Sequence, residues 1–269
     1  MSVHGKFIWH ELLTWDAAAE STFFKKVMGW ETVDWEGEGE PYLMFSKDGT
    51  TENSVCGVVE METPRFDESI PDHFLGYIGV DDLDNAMELA KSLGATLHTD
   101  KFTIPGVGQI VVMQDPQGAW ICMFQPESAY DLSRPECGDF SWNELATSDH
   151  ALAFEFYSQL FGWTSLHDMD MGDGNTYKLF APQGETEAIG GIFSRTDDMP
   201  GGPNWLYYVS VDNLSVALDN VSENGGAVLS GPTEVPGGDH VAQCFSPRGT
   251  AFALHATIPV ETEADEHIG

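Results

Sequence analysis

The chain has 269 residues, room for one large or two ordinary domains, and 42% of them are hydrophobic, enough to build a core. Its 44 acidic residues against 11 basic ones give a net charge of −33, which argues against nucleic acid and membrane surfaces as partners, since both require clustered Lys and Arg. No run of 18 or more apolar residues occurs, MSVHGKFIWHELL lacks the basic-then-apolar order of a signal peptide, and Cys56, Cys122, Cys137 and Cys244 are scattered like small buried hydrophobes, so the expected location is a reducing cytoplasm.

One spacing, used four times, organises the chain. A short apolar run leads to Asp16, an amphipathic stretch follows, and Gly29 closes it thirteen positions on. Asp81/Gly94, Asp149/Gly162 and Asp212/Gly225 repeat the pattern. Each Asp is placed to accept backbone N–H bonds from the first turn of a helix and to complement its dipole. Each Gly suits the left-handed turn that ends a helix. Leu83/Met87/Ala90, Leu152/Phe156/Leu160 and Leu214/Leu218/Val221 form the predicted buried stripes. Extended runs follow each helix, broken by a hairpin-type turn at Lys47-Asp48-Gly49, Pro116-Gln117-Gly118, Pro182-Gln183-Gly184 and Pro247-Arg248-Gly249. The predicted unit is β-α-β-β-β, four times over. Pairs of units are expected to form sheets, giving an α+β protein rather than a stacked superhelix.

The two halves of the chain are duplicates. Trp9-His10-Glu11-Leu12-Leu13-Thr14 matches Trp142-Asn143-Glu144-Leu145-Ala146-Thr147, Gly29-Trp30 matches Gly162-Trp163, and Pro105-Gly106 matches Pro236-Gly237, at offsets between 131 and 133. The expected boundaries are a first half over 1–125, a linker over 126–139 (PESAYDLSRPECGD, two Pro and no periodicity), a second half over 140–257 and an acidic tail over 258–269. The acids are otherwise spread along the chain and Lys is scarce, a whole-surface property that fits salt adaptation: in molar salt the Debye length falls to ~3 Å and self-repulsion is screened.

Three marks carry a family resemblance: Val80-Asp81-Asp82-Leu83 at a helix start, Gly94-Ala95 at its end and Asp115-Pro116-Gln117-Gly118 before a last strand. On these, residues 6–257 resemble the vicinal oxygen chelate superfamily, which contains glyoxalase I, bleomycin-resistance proteins and extradiol dioxygenases. The Trp-x-Glu-Leu-x-Thr pattern followed by Phe and Gly-Trp is similar to a two-half, glyoxalase-like subgroup. The resemblance implies a curled mixed sheet per pair of modules, flanked by helices. It also implies a concave active face where a divalent metal rests on His and Glu of the first and last strands. At the matching first-strand positions, seven before each Asp, stand Trp9, Phe74, Trp142 and Trp205, with His10, Leu75, Asn143 and Leu206 one register away. At the last-strand positions, four after each turn Gly, stand Asn53, Cys122, Ala188 and Ala253. A divalent ion needs several convergent N or O ligands, so the usual metal site is expected to be lost, and no cofactor is expected.

Strand alternation puts Trp9 and Glu11 on one face and, by duplication, Trp142 and Glu144 on the matching one. An aromatic wall with one acid is a pocket for a small, partly apolar molecule. Glu11 and Glu144 are the candidate general acid–base residues, and Trp9, Tyr77, Trp142, Trp205 and Tyr208 the candidate ligand-binding ones. The competing, structural role for the two Glu, the one such buried networks more often play, is to hold the sheet curl, bonded to backbone or Arg. The alternative is a relocated 2-His-1-carboxylate centre on His240, His255 and Glu144, binding Fe, Ni, Zn or Mn and making the chain a lyase or dioxygenase. A third possibility is a structural or stress-related protein with no ligand. No phosphate-cradling GxGxxG follows a strand and no GxSxG elbow occurs, so a nucleotide cofactor and a serine-hydrolase mechanism have no support in sequence. The chain, carrying both halves, is expected as a monomer or a homodimer.

Overall fold

A computed structural model describes residues 2–37, 41–130, 135–172 and 174–257. The predicted acidic tail lies outside the described residues. The first half comprises β1 (Phe7–Thr14), α1 (Ala17–Met28), β2 (Glu31–Trp35), β3 (Tyr42–Ser46), β4 (Ser54–Glu60), β5 (His73–Gly79), α2 (Leu83–Ser92), β6 (Thr96–Leu97), β7 (Phe102–Ile104), β8 (Gly108–Gln114) and β9 (Trp120–Pro126). The second comprises β10 (Phe140–Thr147), α3 (His150–Phe161), β11 (Thr164–Asp170), β12 (Thr176–Ala181), β13 (Gly190–Ser194), β14 (Asn204–Ser210), α4 (Leu214–Glu223), β15 (Ala227–Glu234), β16 (His240–Phe245) and β17 (Ala251–Ala256).

Each half forms one curled mixed sheet, ordered β2-β3-β4-β1-β5-β9-β8-β6 (with β7 beside β8) and β11-β12-β13-β10-β14-β17-β16-β15. Within a module the first and last strands are parallel, as in β1–β4 and β5–β9. The two modules of a half join through an antiparallel pair, β1–β5 or β10–β14. This is the tandem α+β arrangement the fourfold spacing predicts.

The helix signals hold with a shift of one. Asp16 caps α1 through the Ala19 N–H, and Asp149 caps α3 through the N–H groups of Ala151 and Leu152. In the even modules the caps are instead Asp82 and Asn213. Asp81 accepts the Ser2 hydroxyl rather than a helix N–H. Gly29 and Gly162 take left-handed φ values of 73° and 69°, as a helix-ending turn requires. Leu152, expected in a buried stripe, is 59% exposed. The buried face of α3 is Ala153, Phe156, Tyr157, Leu160 and Phe161, turned toward the aromatic layer. Cys137 is exposed, whereas the other three Cys are buried.

The halves meet through their helix-covered faces, α1 against α4 and α2 against α3. The contacts are reciprocal, as a pseudo-twofold demands. Trp30 Nε1 donates to the Gly138 carbonyl at 2.8 Å, and Trp163 Nε1 donates to the Gly5 carbonyl at 2.7 Å. His10 and Asn143, matched positions of the duplication, face each other across the axis at 3.4 Å. The Tyr207 hydroxyl accepts the Gly76 N–H at 2.8 Å, and a Cβ on Gly76 would come within 2.6 Å of that oxygen. These packed helices leave the other face of each sheet free to carry a site.

Candidate functional site

The β1–β5 register sets Trp9 opposite Tyr77 and Glu11 opposite Leu75, and β9 adds Cys122 beside Tyr77. Directly paired residues share a face, so these side chains line the concave side. The parallel pair Glu11↔Gly57 brings a glycine next to the carboxylate. Tyr42 lies across that glycine: a Cβ there would come within 1.7 Å of the phenol oxygen. The Tyr42 hydroxyl thereby reaches Glu11 Oε1 at 2.5 Å, the Tyr77 hydroxyl donates to Oε2, and Trp9 Nε1 donates to Tyr42 Oη at 3.2 Å.

The second half repeats the network. Tyr177 lies over Gly191, the parallel partner of Glu144, where a Cβ would come within 2.0 Å of the ring. Its hydroxyl donates to Glu144 Oε2 at 2.8 Å, Tyr208 donates to Oε1 at 3.0 Å, and Trp142 Nε1 donates to Tyr177 Oη at 2.9 Å. Gln243 Nε2 adds a contact of 3.3 Å to Oε1. Burial pushes both carboxyls above the usual carboxylate range, and the phenol bonds pull them part of the way back. The four phenols are pushed up in turn, by burial and by the adjacent carboxylates.

Of the residues predicted from sequence, Trp9, Glu11 and Tyr77 come together in one cluster, and Trp142, Glu144 and Tyr208 in the other. Trp205 does not. It pairs with Leu145 on the helix-facing side, its Nε1 lying 3.3 Å from Tyr157 Oη and its ring 5.3 Å from Phe7. The reason is the shifted cap: counting from Asn213 instead of Asp212 selects Leu206, the residue opposite Glu144. His240 and His255 are not brought together either. His240 pairs with Ala256 and His255 with Val241, so they point to opposite faces. Among the described residues no three His, Cys, Asp or Glu converge as metal ligands. Each Glu is held by two phenols, one of them bonded in turn to an indole, and Glu144 also by the Gln243 amide, a set that does not fit a divalent ion.

Tyr42, Tyr177, Gly57, Gly191 and Gln243 escaped the sequence reading. Two of the signals were present. Tyr42/Tyr177 and Gly57/Gly191 are themselves duplicated, at offsets of 135 and 134, just outside the range in which the halves align elsewhere.

The halves differ in what lies beside the network. Beside Glu11, whose cross-strand partner is Leu75, Leu13, Met61, Leu75 and Phe124 belong to a second apolar core, backed by Phe66, Ile70 and Tyr130. Trp, Glu and the cross-strand Tyr are half-buried in both halves, but beside Glu144 Leu206 and His255 are half-buried where the matching Leu75 and Phe124 are buried, so the rim of that concave face is the more open one. A shallow depression of about 580 Å³ between β2 and the β3–β4 turn, lined by Val33, Asp34, Trp35, Glu36 and Glu52, includes neither Glu11 nor Tyr42 and is surface relief rather than the site.

Comparison with known proteins follows the same division. Residues 140–254 match the family described as the Glyoxalase/Bleomycin resistance protein/Dioxygenase superfamily, and residues 9–124 match the glyoxalase-like domain family. The Mycobacterium tuberculosis protein named "Putative glyoxylase CFP32" is 29% identical over 255 residues, spanning 93% of this chain and 94% of its own. Anthracycline biosynthesis protein DnrV of Streptomyces peucetius is 31% identical over 134 residues, 46% of this chain and 48% of its own. Among solved structures, the Mn(II)-bound glyoxalase from Novosphingobium aromaticivorans superposes with a TM-score of 0.64 at 16% identity, over 99% of this chain and 87% of that one. The 2,3-dioxygenase LapB from Pseudomonas sp. KL28 does so with a TM-score of 0.64 at 13% identity, over 95% and 93%.

Proposed function

Because the chain belongs to the glyoxalase/bleomycin resistance/dioxygenase superfamily, we propose that it uses the superfamily's concave face to bind a small, largely apolar molecule carrying one hydrogen-bond donor, at Glu144 in the second half. The observation that carries this is the one acceptor site the Glu144 carboxylate keeps open. A carboxylate has about four acceptor sites. Tyr208 and Gln243 take two on Oε1, and Tyr177 takes one on Oε2, which leaves one for a ligand N–H or O–H. Trp142 and Tyr208 supply the aromatic wall, and a net charge of −33 favours neutral or cationic ligands over anions. The partial match to an anthracycline biosynthesis protein supports a planar aromatic ligand.

In this proposal the usual metal centre is lost. Glu144, its proton affinity raised by burial, takes up or returns a proton at Oε2. A metal-dependent lyase or dioxygenase is the second reading, favoured by the Mn(II)-bound and dioxygenase fold neighbours. Calorimetric titration of planar aromatic amines and phenols tests the first. Glu144→Gln should weaken binding at least tenfold, about 1.4 kcal/mol, whereas Glu11→Gln should leave it unchanged. Equal affinity in wild type and Glu144→Gln would overturn it. Metal analysis of untagged protein tests the second: stoichiometric Mn, Fe, Ni or Zn that disappears with Glu144→Gln would replace the metal-free proposal.

A further inference from the structure

On the same concave face, a second chain of polar groups takes no part in the Glu144 network. His255 Nδ1 lies 2.9 Å from Ser141 Oγ, and His255 Nε2 lies 3.0 Å from Asp239 Oδ2. The His255 and Asp239 side chains are 20% and 36% exposed, so the array is reachable. Ser141 owes its position to an irregularity in β10, where the register with β14 shifts between Phe140 and Trp142. An extra residue at such a bulge is re-aimed out of the ladder, and here its hydroxyl meets His255. The Tyr208 carbonyl is the competing acceptor for that hydroxyl, but at 3.4 Å it is the longer contact. With the Nε2 proton given to Asp239, the Nδ1 lone pair faces Ser141.

The duplication supplies an internal control. The matching positions of the first half are Ile8, Phe124 and Gly108. Ile8 occupies the same kind of irregularity in β1 and packs with Phe124 in the apolar cluster. The scaffold therefore closes this corner with hydrophobic side chains and does not require a polar chain. We propose that Ser141 is a nucleophile activated by His255, with Asp239 as the positioning residue, and that it hydrolyses an uncharged carboxylic ester whose apolar part lies against Trp142. The proposal shares the Trp142 wall with the Glu144 site and rests on none of its other assignments. Such arrays are defined by geometry and role, not by chain order.

Ser141 Oγ forms a bond to the acyl carbon as its proton passes to His255 Nδ1, and Asp239 holds the imidazolium that results. Collapse of the tetrahedral adduct breaks the bond to the alcohol, which leaves with the proton from Nδ1. Water then gives a proton to Nδ1 and its oxygen to the acyl carbon, and Ser141 leaves and recovers the proton. The sum is ester plus water to acid plus alcohol.

Fluorophosphonate labelling of the full chain with peptide mapping, together with p-nitrophenyl acetate hydrolysis, tests this. Wild type should carry the label on Ser141, a result that needs no variant. Ser141→Ala should lose both signals, and His255→Gln should slow both by about a hundredfold or more. Asp239→Asn should lower kcat with KM unchanged, and Asp239→Glu should recover part of the loss. Folding is checked by near-UV circular dichroism, and Ser141→Ile, the residue type of the first half, replaces any Ser141→Ala that fails to fold. A wild-type protein labelled elsewhere or not at all, or equal hydrolysis by wild type and a folded Ser141 variant, would overturn the proposal.

Discussion

Replacing Gly191 by Ala adds one methyl group and should dismantle half of the Glu144 network. The backbone at Gly191 is one any residue adopts, so the cost is contact alone. The new Cβ would lie 2.0 Å from Tyr177 Cε1 and 2.2 Å from Cζ, distances no repacking of a fixed ring can absorb. Tyr177 must swing away, giving up its bond to the Glu144 carboxylate and the indole bond from Trp142. A hydrogen bond to a charged group contributes about 1.5–3 kcal/mol and a neutral one about 0.5–1.5, so the loss should be roughly 2–4 kcal/mol. Urea unfolding at constant m reads it as a fall in midpoint. The decisive control is the double mutant cycle with Tyr177→Ala. Once the ring is gone the methyl has nothing to strike, and Gly191→Ala should cost no more than about 0.5 kcal/mol in that background. A Gly191→Ala protein as stable as wild type, or one whose loss is the same with and without Tyr177, would refute the account.

Three further outcomes are expected. Burial holds the His10 imidazole down at about 3 against an ordinary 6.5, so the unfolded chain binds its proton first. Stability from this group is whole above 6.5 and lost as pH falls toward 3, about 5 kcal/mol in total, and His10→Phe should flatten that acid limb in pH-dependent denaturation. Glu20 is fully buried with Oε2 unpartnered, and burial raises its carboxyl, so its neutral form stabilises the fold at low pH and that stability is lost as pH rises through the raised value. Glu20→Gln should match or exceed wild-type stability at pH 7 and show a weaker decline as pH rises above 4.5. If the acidic surface is a salt adaptation, dialysis from molar salt to a few millimolar should lower the melting temperature by many degrees; an unchanged value would sink that explanation.

The scaffold was legible in the sequence because its signals are local. Asp caps, left-handed Gly and turn residues act within a few positions, so the thirteen-residue ruler survived duplication and divergence. Its weakness was also local. A second capping candidate, Asp82 or Asn213, stands beside the predicted one and won in two modules, which moved Trp205 to the wrong side of its sheet. The site was half legible. Alternation found Glu11 and Glu144 with their flanking Trp, and Tyr77 and Tyr208, which match across the halves at an offset of 131, were legible as candidate ligand-binding residues. Tyr42 and Tyr177 reach their Glu across a neighbouring strand, over a glycine whose meaning is a missing side chain. Such a contact has no sequence periodicity to announce it. Ser141, His255 and Asp239 are separated by 114 and 16 positions and meet only through a bulge and two strand pairings.

The Trp–Tyr–Glu–Tyr network is present in both halves and equally buried in each, and the halves differ in the side chains beside it: Leu75 and Phe124 are buried, whereas Leu206 and His255 are half-buried. The simplest account of a network kept in both halves is a structural one, holding the curl of the sheet. The same network around Glu144 must carry the same structural duty, and any chemistry there is added to it. Glu11→Gln and Glu144→Gln should therefore destabilise the chain by similar amounts, each leaving two phenols donating to an amide instead of a carboxylate. Their effects on ligand binding should diverge. A large difference in stability with no difference in binding would mean that the side chains beside the network, not the carboxylate, are what distinguishes the halves.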